Sequence, residues 1–159
     1  MLKHVLVPLD GSKLAEEALK PAMEIVAPGG RISLVTAVEP VEVPDYAYLA
    51  PITVPNYTEF LPIAQHYLEG IARDYANEDV TLDYRAIAGD PTTVITNTAN
   101  QLQVDAIVMS THGRSGIKRF LLGSVTNKVL ETKSCSVFVV FNKEATPLED
   151  KTKLIEHVN

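Results

Sequence analysis

Five short apolar runs, separated by segments of helical periodicity, constrain this chain more than any other feature. The runs fall at residues 2–9, 31–38, 80–88, 104–109 and 136–141. The first is rich in Val and Leu and the fourth is apolar almost throughout, as in strands buried on both faces. Strands that alternate with helices need crossover connections, and such connections build a parallel sheet covered on both sides. The expected fold class is therefore α/β, with an open five-stranded parallel sheet.

The intervening segments carry their own signals. Ser12 suits the cap of a first helix, with Glu16 and Glu17 near its positive end. Leu14, Ala18, Ala22 and Ile25 or Val26 recur at helical spacing. Pro21 is expected to kink this helix or shift its register, and Pro28-Gly29-Gly30 to end it. Residues 58–77 place Ile63, Tyr67, Ile71 and Tyr75 four apart, on one helical face. Gly89-Asp90-Pro91 opens another helix, with Asp90 as cap, Pro91 first, and Val94, Ile95, Ala99 and Leu102 facing inward. Gly123-Ser124 opens the last, with Val125, Val129 and Leu130 inward. Residues 39–57 hold Pro40, Pro44, Pro51 and Pro55 with Tyr46, Tyr48 and Tyr57, which excludes a regular helix or central strand. This long loop reads either as a lid or partner surface or as a disordered connector. The expected organisation is one domain over residues 1–142 and a polar tail over 143–159.

At 159 residues, 46% of them hydrophobic, the chain can bury a core without covalent staples. Cys135 is the single cysteine, so no internal disulfide forms, and it is expected to be a small buried residue. No apolar run approaches the roughly 20 residues of a membrane span. The N-terminal Met1-Leu2-Lys3-His4 enters Val5-Leu6-Val7 directly, too short a run for a signal core, so a cytoplasmic location is expected. A formal net charge of −6 disfavours general binding to DNA or RNA, which runs on phosphate neutralisation. The charge is uneven. No acidic residue lies between Asp105 and Glu131, whereas His112, Arg114, Lys118, Arg119 and Lys128 do. Such a cationic window suits a small anion better than a polymer.

Ligands of open α/β sheets sit beyond the carboxyl ends of the strands, where strand order reverses. Three segments qualify: Pro8-Leu9-Asp10, Ala37-Val38-Glu39, and the loop after Met109. That loop, residues 110–122, coincides with the cationic window. Its glycines allow backbone amides to approach a phosphate, and Gly123-Ser124 stands where free amides and the helix dipole attract an anion. Ser124 and Thr126 add candidate hydroxyl donors. No Gly-x4-Gly-Lys-Ser/Thr and no Gly-x-Gly-x-x-Gly occurs, so the usual kinase and dinucleotide fingerprints are absent. On physics alone the loop is a phosphate site or a solvated glycine-containing surface.

The chain resembles the universal stress protein family over residues 2–141. The resemblance rests on Val-Pro-Leu-Asp-Gly-Ser at residues 7–12, Gly89-Asp90-Pro91, and Asp-Ala-Ile-Val-Met at residues 105–109. The family's ATP pattern, Gly-x2-Gly-x9-Gly-Ser/Thr, is matched by Gly113, nine residues, and Gly123-Ser124. Ser110 replaces the first glycine. The resemblance implies a Rossmann-like sheet of the adenine nucleotide alpha hydrolase-like kind, binding ATP, ADP or AMP. It places adenine near Pro8, Leu9, Asp10 and Ala37, with Met109 packing on the nucleoside. Ser110 and Gly113 would approach ribose and phosphates by backbone, and Gly123, Ser124, Val125 and Thr126 would receive the phosphates. Asp10 is read either as a cap or turn residue or as a contact to ribose or, through water, to Mg²⁺ or Mn²⁺. Arg114, like Lys118 and Arg119, is either a phosphate partner or part of a solvated face. His112 is read as a hydrogen-bonding or packing residue, with no catalytic residue assigned.

The resemblance also implies a homodimer through the last strand, where Val137, Phe138, Val139 and Val140 form an apolar edge that is hazardous unpaired. The function it implies is a nucleotide-dependent stress or signalling module. The alternatives are a slow metal-assisted ATP hydrolase and a dimerising protein that binds no nucleotide.

Overall fold

The computed structural model describes residues 1–39, 59–111 and 122–141. The 39–57 loop beyond its first residue, the segment holding His112, Gly113, Arg114, Lys118 and Arg119, and the C-terminal tail lie outside them.

The described strands are β1 (Leu2–Pro8), β2 (Val26–Val38), β3 (Val80–Ala88), β4 (Ala106–Ser110) and β5 (Ser136–Val140). They form one sheet in the order β3-β2-β1-β4-β5, every neighbouring pair parallel. The helices are α1 (Lys13–Glu16), α2 (Leu19–Ile25), α3 (Phe60–Asp74), α4 (Pro91–Leu102) and α5 (Ser124–Thr132). The expected α/β architecture is the one observed.

Alternation along β1 explains the two layers. Val5 and Val7 project into a core with Leu19 and Ala22 of α2 and Leu68, Ile71 and Ala72 of α3. Leu6 projects the other way, into a core with Val94, Ile95 and Ala99 of α4 and Val129 of α5. Successive side chains of a strand point to opposite faces, so a strand covered on both sides must be apolar at every position. Val5, Leu6 and Val7 are fully buried.

Four local expectations are corrected. The first helix is two: it breaks at Glu17 and Ala18, and Pro21 sits in the first turn of α2, where its missing N–H has no partner to lose. Pro28-Gly29-Gly30 does not end the helix, which stops at Ile25; these residues lie inside β2. There Leu2 pairs with Val26 but His4 with Arg31, so the glycines occupy a bulge. A Cβ on Gly30 would stand 2.9 Å from Lys3 O and 2.8 Å from Ala27 O, which is why a glycine is needed at that crossing. The buried face of α3 is set by Leu68, Ile71 and Ala72, with Tyr67 and Tyr75 at its margin, and Ile63 is 65% exposed. Cys135 is partly rather than fully buried, packed beside the α4–α5 core, and that burial pushes its thiol pKa up.

β4 begins two residues later than the sequence suggests and includes Ser110. The residue before it acts as a clamp: Asp105 Oδ2 accepts the Lys3 and His4 amides at 2.7 and 2.9 Å, while the Asp105 amide donates to His4 O. These bonds dock the amino ends of β1 and β4 together.

Candidate functional site

The chain winds β1→β2→β3 in one direction, then crosses to β4 and β5 on the other side of β1. The reversal lies between β1 and β4, where neighbouring crossovers leave in opposite directions and open a crevice at the carboxyl ends. A cleft of about 280 Å³ occupies that position. Ligand pockets run from about 300 to 1,000 Å³, so the described walls enclose a volume near the lower end.

Three strand ends and three helices, α1, α4 and α5, build the walls. The end of β1 contributes Pro8, Leu9 and Asp10, and β2 contributes Val35 and Ala37, with Glu39 just after its last residue. The end of β4 contributes Met109 and Ser110. The N-terminus of α5 contributes Gly123, Ser124, Val125 and Thr126. Every described residue that the sequence singled out for this site lines the one cleft; Gly113 and Arg114 lie outside the described residues. Ala15, Val35, Pro91 and Ile95 also line it, and the sequence does not single them out. The signal for the latter two was present in Gly89-Asp90-Pro91, which starts α4 on the same side of the sheet.

Each wall is held by a specific local device. Gly11 adopts φ 82°, a left-handed conformation that glycine takes without penalty, and turns the chain sharply after β1. Asp10 Oδ1 accepts the Ser12 amide at 2.9 Å and the Ser12 hydroxyl at 2.6 Å. Ser12 Oγ in turn accepts the Ala15 amide at 3.1 Å and caps α1. Asp10 therefore braces the turn and also lines the cleft. Across the cleft, Asp90 Oδ2 accepts the Thr93 amide and hydroxyl, each at 2.9 Å, capping α4 and holding the Asp90 carboxyl below the usual range.

The α5 end is the polar pole of the site. Gly123 is its N-cap, and among the described residues no side chain caps it. The Gly123 amide donates to Thr111 O, so it is not available to an anion. Intrahelical bonding begins with the Asn127 amide, which donates to Gly123 O at 2.9 Å. The amides of Ser124, Val125 and Thr126 occupy the first three helical positions, which have no intrahelical acceptor. Together with the helix dipole they make a site for an anion. Ser124 is exposed, so its hydroxyl is accessible as a further donor.

A second hollow of about 410 Å³ lies on the other side of Asp10, Ala37 and Glu39, lined there by Phe60, Ile63 and Tyr67 of α3. Its helical wall includes Phe60, the first residue of α3. Among the described residues no group of three or more His, Cys, Asp or Glu is placed to hold a metal ion, and no helix is long and apolar enough to cross a membrane.

Comparison with known proteins agrees with this geometry. The model of the universal stress protein family matches residues 1–140. Universal stress protein MJ0531 of Methanocaldococcus jannaschii is 30% identical, over 88% of this chain and 82% of its own. Among solved structures, the protein MJ0577 superposes with a TM-score of 0.72 at 26% identity, over 89% of this chain and 97% of that one. An Arabidopsis thaliana family protein with AMP bound gives 0.60 at 17% identity, covering 92% and 97%. A universal stress protein in complex with cAMP gives 0.54 at 22%, covering 88% and 97%. The last two likenesses are likenesses of fold.

Proposed function

The chain belongs to the universal stress protein family, and from that premise we propose that the switch-point cleft binds an adenine nucleotide, ATP foremost. The nucleoside lies against Pro8, Leu9, Ala37 and Met109, and the phosphates meet the amides at the start of α5. The observation that carries this reading is the convergence of the β1, β2 and β4 ends with an uncapped helix N-terminus in a single cleft. Two proteins of the same fold hold AMP and cAMP, which favours an adenine ligand. Nucleotide occupancy serves a cytoplasmic stress or signalling module.

The residues present fit a divalent cation carried in on the nucleotide. Mg²⁺ is commonly held by one or two carboxylates together with phosphate oxygens and waters. Asp10, with Glu39 on the same wall, supplies that kind of donor. Mg²⁺ or Mn²⁺ bound there would neutralise phosphate charge.

The proposed module is a homodimer joined through β5. Among the described residues this strand pairs with β4 alone and forms one edge of the sheet, with Phe138 45% exposed. An unpaired apolar edge is a template for another chain, and a second copy would satisfy it.

Native mass spectrometry of the purified protein tests the ligand. Co-purified adenine nucleotide, or ATP binding on addition, supports the reading. An empty protein whose melting temperature ATP does not change favours the dimerising protein without nucleotide.

A further inference from the structure

Two buried threonines near the cleft have hydroxyls that face the protein's own backbone. Thr126, 3% exposed, donates from Oγ1 to Ser110 O at 3.1 Å. Thr36, 6% exposed, donates from Oγ1 to Leu9 O at 2.9 Å. A hydroxyl has one proton to give. The Thr126 proton is committed to a carbonyl, so this side chain is not the phosphate donor that its place in the motif suggests.

The two acceptors are the carbonyls at the carboxyl ends of β4 and β1, the strands that flank the switch point. Ser110 is the last residue of β4, and Leu9 follows the last residue of β1. Each carbonyl is gripped by a hydroxyl from a different element, α5 for Ser110 O and β2 for Leu9 O. Thr126, in the first turn of α5, ties the helix N-terminus to β4. Thr36, in β2, ties the β1 end to the neighbouring strand, beside the bond from the Leu9 amide to Val35 O at 2.8 Å. The α5 start has a second tether in the Gly123 amide on Thr111 O.

We propose that Thr126 and Thr36 are positioning residues with separate tasks: Thr126 fixes the phosphate-receiving amides of α5, and Thr36 fixes the nucleoside wall at the end of β1. This rests on the nucleotide reading above. It differs from it in assigning each half of the ligand to its own internal hydroxyl clamp. A helix N-terminus attracts an anion only where its amides converge on it, and removing the Thr126 hydroxyl leaves Ser110 O without that donor and α5 freer to tilt.

Binding of ATP and of adenosine is measured by calorimetry for the wild-type chain, Thr126→Val, Thr126→Ser and Thr36→Val. Valine keeps the shape and removes the hydroxyl, and serine restores it. Loss of one buried hydrogen bond corresponds to roughly tenfold in affinity. Thr126→Val is expected to weaken ATP about that much and leave adenosine unchanged, with Thr126→Ser near wild type. Thr36→Val is expected to weaken ATP and adenosine by the same factor. If either valine variant does not accumulate folded, the alanine variant at that position carries the same expectation. Equal loss of both ligands in Thr126→Val, no loss in either variant, or failure of Thr126→Ser to restore ATP binding overturns the proposal. A wild-type chain that binds neither ligand overturns the nucleotide reading itself and this inference with it.

Discussion

Three glycines offer the same substitution with three different outcomes. Gly30 crosses β1 so closely that an alanine Cβ would lie 2.5 Å from Val26 Cγ1, 2.8 Å from Ala27 O and 2.9 Å from Lys3 O. Two of these neighbours are backbone atoms of the bulge and of β1, so relief requires separating the strands. Overpacking of this kind costs about 1–3 kcal/mol, and the double backbone contact puts Gly30→Ala near the upper end. With a urea slope of about 2 kcal/mol/M, a loss of about 3 kcal/mol lowers the unfolding midpoint by about 1.5 M. Gly29, one residue away, has open space around its Cβ position but adopts φ +76°. Gly29→Ala is therefore expected to cost only the backbone penalty of about 1–2 kcal/mol. Gly70, inside α3, has open space and no positive φ, so Gly70→Ala should stabilise by about 0.5–1 kcal/mol. Urea unfolding followed by circular dichroism ranks the three. A Gly30→Ala midpoint at or above wild type would refute the close crossing of β2 on β1 and the bulge that depends on it.

The Asp105 carboxyl is held below its ordinary pKa by the His4 and Lys3 amides. A depressed folded pKa gives stability that is present above the ordinary value of 3.8 and is lost as pH falls through the lower folded value. Acid unfolding of wild type should therefore steepen below that point, and Asp105→Ala, scanned by circular dichroism, should lack this component. If the proposed homodimer forms through β5, Phe138→Asp, which places a charge on that edge, is expected to give a monomer in sedimentation analysis without loss of helix content. Gly123 has φ −56°, which any residue adopts, so Gly123→Val should fold. It is expected to weaken ATP at least tenfold in calorimetry by crowding the phosphate path, a fold-change of about 1.4 kcal/mol.

Much of this architecture was legible because it follows from local chemistry. The β1 run, the Ser12 cap and the Asp90-Pro91 start of α4 each announce themselves in a few residues, and each stands where the sequence places it. The apolar alternation that buries Val5, Leu6 and Val7 on opposite faces implied two covering layers. The cleft was legible for a different reason: crossovers bring strand ends together at the reversal of strand order, so Leu9, Ala37 and Met109 meet there despite their separation in sequence.

The misreadings share a cause, which is that tertiary contact overrode a local signal. Pro28-Gly29-Gly30 is a strong helix terminator, yet here it serves a strand that needs a glycine to cross its neighbour. Ile63 fits a four-residue spacing, but Leu68 and Ala72 carry α3 against the sheet and turn Ile63 outward. Thr126 was read as a ligand donor because the motif shows residue type and not orientation; its hydroxyl points to Ser110 O. The Gly123 amide was likewise counted toward the phosphate site, and it is bonded to Thr111 O.

The most direct test of the site is a nitrogen–proton NMR titration of the full chain with ATP and, separately, with adenosine. The amide resonances of Ser124, Val125 and Thr126 are expected to move on addition of ATP and to stay near their free positions with adenosine. ATP that binds without moving those three amides, or moves only residues distant from the switch point, would contradict this placement of the phosphates.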